Sequence, residues 1–177
     1  MAVDTKLMTA DELLRMPDDG FRYELVGGEL KRMSPAGGRH GRIVHRISRH
    51  LGNYVEARKL GEVYSSETGF KIFRNPDTVR SPDVPFVRTE RVVDTDQFIP
   101  IPPDLAVEVI SPTDPYSAVA RKKDEYLRAG SQAVVIVDPD RELVEIHRLS
   151  GVITVQDVLT VDDVVPGWRM PLSEIFS

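Results

Sequence analysis

Leu105-Ala106-Val107-Glu108-Val109-Ile110 is an aliphatic run with one acid in its middle. Pro100, Pro102 and Pro103 lie before it and Ser111-Pro112 after it, so the run reads as a strong β-strand between breaks. Alternation places Glu108 on one face with Ala106 and Ile110, and Leu105, Val107 and Val109 on the other. A charge buried in such a strand is costly without a partner. Glu108 therefore faces solvent, pairs with a buried arginine, or belongs to a site. Asp114-Pro115 follows as an N-cap with proline in the first turn. The helix it starts runs to Ala129 and is capped by Gly130. Gln132 to Val137 is then a second strand, apolar on both faces.

Working outward, Thr9-Ala10-Asp11-Glu12 fits a capping box ahead of a short helix that Pro17 and Gly20 end. Phe21 to Val26 and Glu29 to Met33 read as strands joined by a Gly27-Gly28 hairpin. From Arg39 to Lys59 the spacing predicts a helix: Ile43, Ile47, Leu51 and Val55 recur every four residues, and Arg39, Arg42, Arg46 and Arg49 take the opposite side. Gly61 stops it. Glu62–Glu67 and Gly69–Phe73 are short strands or one bent strand. Val79 to Val87 is extended, and its Pro82 and Pro85 predict an edge or irregular strand. After Val137, Pro139-Asp140 and Ser150-Gly151 are turns around the strands Glu142–Leu149 and Val152–Gln156, with Asp138 a turn acid. The tail offers Trp168, Leu172, Ile175 and Phe176 for packing. Strands, helix, strands, helix, strands favours an α/β (mixed α+β) fold with a central mixed sheet flanked by helices, as a single domain over residues 1–177.

Composition bounds the function. The chain has 177 residues, enough to bury roughly 70% of its unfolded surface. With 41% apolar and 29% charged residues it is ordinary for a globular protein. It has no cysteine, which excludes disulfides, thiolate zinc sites and cysteine nucleophiles. Its longest purely aliphatic run, Ala133 to Val137, is far short of the roughly 20 residues of a membrane span. The N-terminus carries Asp4, Asp11 and Glu12 with no long apolar stretch, so no signal peptide is visible and a cytoplasmic location is expected.

The net charge of −5 argues against a nucleic-acid partner. Its distribution softens that argument: residues 138–177 carry the whole net −5, while residues 30–59 carry a net +7. The basic segment is either a solvated helix face or an electrostatic footprint for phosphates.

Asp83, in Ser81-Pro82-Asp83-Val84, and Glu108 are the two acids that stand out. Acids from neighbouring strands are the ordinary way to hold Mg²⁺. Lys122 and Lys123 lie on the helix that follows. Tyr116, Val119, Ala120, Tyr126 and Leu127 form its apolar arc, with Lys123 inside and Lys122 on the border. Periodicity draws one lysine inward without choosing between them.

Taken in order, these segments form a pattern. Tyr23-Glu24-Leu25-Val26-Gly27-Gly28-Glu29-Leu30 is followed by Met33-Ser34-Pro35, His40-Gly41, Glu67-Thr68-Gly69-Phe70 and Arg80-Ser81-Pro82-Asp83-Val84. Val107-Glu108-Val109, Ser111-Pro112, Lys122 four before Tyr126, Ala129-Gly130 and Val137-Asp138-Pro139 complete it. The chain resembles, from Thr9 to Phe176, a large bacterial family of proposed endonucleases in the PD-(D/E)XK, restriction-endonuclease-like superfamily. The resemblance implies Asp83 and Glu108 as metal ligands for Mg²⁺ or Mn²⁺. It implies Lys122 as the lysine assisting the attacking water, and Glu24 as an early acid joining the site. The superfamily motif calls for lysine at position 110, where this chain has Ile110, and the lysine has moved to the following helix. His40 also matches a family position, although a lone histidine at a helix start is more often structural.

The implied function is hydrolysis of DNA phosphodiester bonds by a homodimer, with Arg39, Arg42, Arg46 and Arg49 contacting phosphates. A non-catalytic nucleic-acid-binding or regulatory module on the same fold, and a hydrolase of a smaller phosphate ester, are the alternatives. The expected geometry puts Asp83 and Glu108 on adjacent strands, with at least one acid raised in proton affinity by crowding.

Overall fold

The computed structural model describes residues 7–112 and 114–177. Asp4 lies outside them. In chain order the elements are α1 (Ala10–Leu14), β1 (Arg22–Val26), β2 (Glu29–Met33), α2 (Gly38–Arg58), β3 (Gly61–Val63), β4 (Phe70–Phe73), β5 (Thr78–Arg80) and β6 (Val84–Arg88). A short 3₁₀ turn, Thr89–Arg91, precedes β7 (Leu105–Val109), α3 (Tyr116–Ala129), β8 (Ala133–Asp138), β9 (Leu143–Arg148) and β10 (Gly151–Thr154). The small ribbon β11 (Val158–Thr160) and β12 (Arg169–Pro171), which periodicity did not reveal, leads into α4 (Leu172–Phe176).

Two sheets form the scaffold. The larger has the order β10-β9-β8-β7-β6-β3, and within it β7 and β8 are parallel while the other pairs are antiparallel. The crossover between the parallel pair is α3, as a parallel connection requires. The smaller, antiparallel sheet has the order β2-β1-β5-β4.

Several expected elements take a different form. Residues 79–87 are not one edge strand. They divide at Ser81–Asp83 into β5 and β6, which lie inside different sheets. Pro82 has no N–H to give to a continuous ladder, so the chain can break there and change sheets. Pro85 is nevertheless interior to β6. Its carbonyl accepts from Tyr64 N (3.0 Å), and its missing N–H points the same way, just past the end of β3. Residues 62–73 likewise split into β3 and β4, at the edges of the two sheets. Helix α2 ends on Lys59, which takes the left-handed conformation (φ 55°). Gly61 serves instead the close approach of β3 to β6, where a Cβ would collide with the Val87 carbonyl. The N-cap of α3 is Pro115, and Asp114 closes the preceding turn with Ser111.

The alternation read for β7 holds. Leu105, Val107 and Val109 pack with Ile43, Ile47, Leu51 and Val55 of α2 on one face of the large sheet. Ala106 and the partly buried Ile110 pack with Tyr126, Val134 and Ile136 beneath α3 on the other. Trp168 and Ile175 of the tail close the first core, with the indole Nε1 donating to His50 Nδ1 (3.0 Å). No helix among the described residues is long and apolar enough to cross a membrane.

Candidate active site

Strand β7 puts Glu108 on the α3 side of the sheet, 6% exposed. Its Oε1 accepts from Tyr126 Oη (3.0 Å) and its Oε2 stands 3.4 Å from Lys122 Nζ. Both partners come from α3, four residues apart and so on one helical face. Burial pushes the Glu108 carboxyl up to about 7; Lys122 opposes the rise, and the nearby Asp83 and Glu24 charges add to it. The expected rise in proton affinity is present, but desolvation rather than crowding is its main cause. Lys122 moves up in turn. Burial disfavours its charge, but Glu108, Glu24 and Asp83 more than compensate, so its ammonium is firmly held. The Tyr126 phenol is pushed well up, first by burial and then by the Glu108 charge, and stays a donor.

Asp83 stands at the break between the sheets, directly before β6 and beside β7. Its Oδ2 accepts from Val109 N (2.8 Å), tying it to the residue after Glu108, and lies 3.2 Å from His40 Nε2. Its Oδ1 has no hydrogen bond among the described residues. His40, in the first turn of α2, is thus hydrogen-bonded to Asp83. The Asp83 hydrogen bond raises its proton affinity against the effect of burial. Its Nδ1 is buried with no partner among the described residues.

Glu24 arrives from β1 in the smaller sheet, 2% exposed. Its Oε1 accepts from Ser81 N (3.0 Å) and lies 3.5 Å from Lys122 Nζ, while Oε2 accepts from Arg80 Nη1 (2.7 Å). Arg80 also donates through Nε to Glu125 Oε2 (2.7 Å). Arg80 and Glu125 were not singled out from the sequence. The signal available was Glu125 three residues after Lys122, hence on the same helical face, and Arg80 three residues before Asp83.

Of the two lysines, Lys122 faces the acids and Lys123 pairs with its neighbour Asp124 (2.9 Å). The apolar arc is correct at Val119, Tyr126 and Leu127, which are buried, and departs from the structure at Tyr116 and Glu125. Tyr116 is 67% exposed, whereas Glu125 is buried, because the buried side of α3 serves charged groups as well as core.

The four arginines of α2 expected to contact phosphates, Arg39, Arg42, Arg46 and Arg49, divide into two pairs. Arg39 pairs with Asp140 (3.0 Å) and donates to the Pro139 carbonyl; Arg46 Nη1 donates to the Ile175 carbonyl (3.2 Å). These two are engaged by the protein itself. Arg42 and Arg49 are exposed, with no ion pair among the described residues. Asp138 is the turn acid expected, its Oδ1 accepting from Asp140 N and Arg141 N (3.0 and 3.2 Å).

No trio of His, Cys, Asp or Glu side chains among the described residues is placed to hold a metal ion. Two carboxylates with an unbonded Asp83 oxygen suit a hard cation such as Mg²⁺, which binds one or two protein carboxylates and keeps waters and substrate oxygens for its other positions. They do not suit a closed protein cage.

No curated protein matches the chain. A solved structure with the same fold is the crystal structure of a "putative nuclease belonging to DUF820" from Anabaena variabilis. It is 18% identical, the match covers 96% of this chain and 97% of that one, and the TM-score is 0.83. The architecture is thus that of the restriction-endonuclease-like proteins. The family model Uma2, described as "Putative restriction endonuclease", matches residues 10–173, and this chain, whose Glu24, Asp83, Glu108 and Lys122 all fall within that span, belongs to that family.

Proposed function

We propose that the protein is a Mg²⁺-dependent endonuclease, also served by Mn²⁺, that hydrolyses DNA phosphodiester bonds as a single nuclease domain. The observation that carries the reading is the position of Lys122. It comes from a helix 14 residues beyond Glu108, yet its ammonium lies 3.4 Å from that carboxylate. A protein with no chemistry to perform has no physical need to bury a lysine against Glu108 and Glu24 beside Asp83.

Asp83 and Glu108 would hold the cation. When bound, a divalent cation neutralises charge on the scissile phosphate and acidifies the attacking water. The Glu108 carboxyl, at about 7 without a cation, gives up its proton readily when positive charge arrives. Tyr126 donates to Glu108 Oε1 and fixes the carboxylate plane. Lys122, held cationic, orients the water or stabilises negative charge building on the phosphate oxygens; it acts as a donor. His40 and the Val109 amide hold Asp83 through Oδ2 and leave Oδ1 for ligation. Exposed Arg42 and Arg49 provide phosphate contacts that position the duplex without reading its sequence. A homodimer in the cytoplasm, one subunit per strand, completes the reading.

The test is plasmid nicking in Mg²⁺ or Mn²⁺ with purified protein and Asp83→Ala alongside. Cleavage by the wild type, lost in EDTA and in the variant, is the expected result. Binding of DNA without cleavage in either metal would favour the non-catalytic module.

A further inference from the structure

Four buried or nearly buried charges close a ring that begins and ends on α3. Lys122 Nζ meets Glu24 Oε1 at 3.5 Å. Glu24 Oε2 accepts from Arg80 Nη1 at 2.7 Å. Arg80 returns to α3 through Nε and Nη2, each 2.7 Å from Glu125 Oε2. Glu125 sits one helical turn after Lys122 on the same face. The ring holds two acids and two bases and is formally neutral, so the charge of Asp83 and Glu108 is left over beside it.

Lys122 stands between two carboxylates at nearly equal distances, 3.5 Å from Glu24 and 3.4 Å from Glu108. An ammonium so placed moves toward whichever acid is less neutralised, and the low dielectric of a buried site makes that preference strong. Glu24 has little attraction to spare: Arg80 occupies Oε2 and Ser81 N shares Oε1. Arg80 in turn cannot give both arms of its fork to Glu24, because Glu125 holds its other side. The planar guanidinium gives a separate edge to each acid, Nη1 to Glu24 and Nε with Nη2 to Glu125, a geometry that the point charge of an ammonium does not fix.

We propose that Arg80 and Glu125 are positioning residues that set where Lys122 stands between Glu24 and Glu108. The inference rests on the reading of Lys122 as the lysine of the site. Its consequence is directional. Removing the Arg80 cation leaves Glu24 under-neutralised, which draws Lys122 away from Glu108. Removing the Glu125 charge frees Arg80 to turn its fork onto Glu24, which pushes Lys122 toward Glu108.

The experiment is a pair of metal-free crystal structures, Arg80→Met and Glu125→Gln, each compared with wild type. In Arg80→Met the Lys122–Glu108 separation should open beyond about 4 Å, the limit of an ion pair, and in Glu125→Gln the Lys122–Glu24 separation should do so instead. A passive ion cluster would not move one lysine in opposite directions. In the nicking assay Arg80→Met should lose about 10²-fold in kcat, the scale of losing one charge-stabilising donor, with KM changed by less than about threefold. If Arg80→Met does not fold, Glu125→Gln alone decides. Lys122 unmoved in the folded variants overturns the proposal. The displacement is read without DNA, so a wild type that cuts no plasmid would refute the nuclease reading and leave the positioning result intact.

Discussion

Replacing Glu108 by glutamine tests how the buried acid is held. Without a cation, burial keeps the Glu108 carboxyl near 7 rather than at its ordinary 4.5. The folded value lies above the unfolded one. The stabilisation linked to its proton is therefore fully present below about pH 4.5 and is lost as the pH rises through about 7. At about 1.36 kcal/mol per pKa unit, the span from 4.5 to about 7 corresponds to about 3 kcal/mol. A glutamine cannot ionise, and its amide keeps one of the two bonds: the oxygen accepts from Lys122, while the nitrogen faces Tyr126 Oη and leaves the phenol without its acceptor, a cost that does not depend on pH. In EDTA, urea unfolding between about pH 4 and about pH 8 should thus show Glu108→Gln gaining on wild type by about 3 kcal/mol across that range. Whatever offset separates the two at low pH, the lost Tyr126 bond included, is independent of pH and does not enter the comparison. Adding Mg²⁺ at the alkaline end should take back part of that gain, because a ligand that binds only the native wild type stabilises it by mass action. Unfolding free energies that run parallel at every pH would refute the claim that Glu108 is a desolvated, proton-hungry acid.

Lys122→Met should lower cleavage about 10²-fold with DNA binding kept, whereas Lys123→Met, whose ammonium pairs with the adjacent Asp124, should cut like wild type; side-by-side nicking and filter binding read both. Arg42→Ala combined with Arg49→Ala should reduce the salt dependence of DNA affinity by a slope of about two, as two lost phosphate contacts require. Arg46→Ala should act on stability instead, lowering the unfolding free energy by about 1 kcal/mol through its lost bond to the Ile175 carbonyl. Trp168→Phe should cost about 1–3 kcal/mol in urea unfolding, since it leaves His50 Nδ1 without its donor and opens a gap in a fully buried position.

Much of the fold was legible because local physics and tertiary packing agree there. The four-residue recurrence of Ile43, Ile47, Leu51 and Val55 is the buried stripe of α2. The alternation in β7 correctly separates Glu108 and Ala106 from Leu105, Val107 and Val109. The Thr9–Glu12 capping box forms both reciprocal hydrogen bonds. These features depend on residues a few positions apart, where spacing determines geometry. Asp83 and Glu108 stand out in their own segments and motif order adds Lys122, but neither signal carries distances.

Only the three-dimensional arrangement decided what joins what. Residues 79–87 show their extended character in the sequence, but the switch between two sheets at Pro82, which aims Asp83 at the Val109 amide, depends on strands far away in the chain. The wheel of α3 does not choose between Lys122 and Lys123, because a hydrophobicity pattern carries no partner for a buried charge. The actual inward charges, Lys122 and Glu125, are tolerated through Glu24 and Arg80, roughly 45 to 100 residues away along the chain. Arg39 and Arg46 look like free cations beside Arg42 and Arg49, until the turn at Pro139–Asp140 and the end of α4 fold against them. A side chain's chemistry is written in its own residue, but burial and partners set its charge state and its work, and those come from chain segments that meet only in the folded protein.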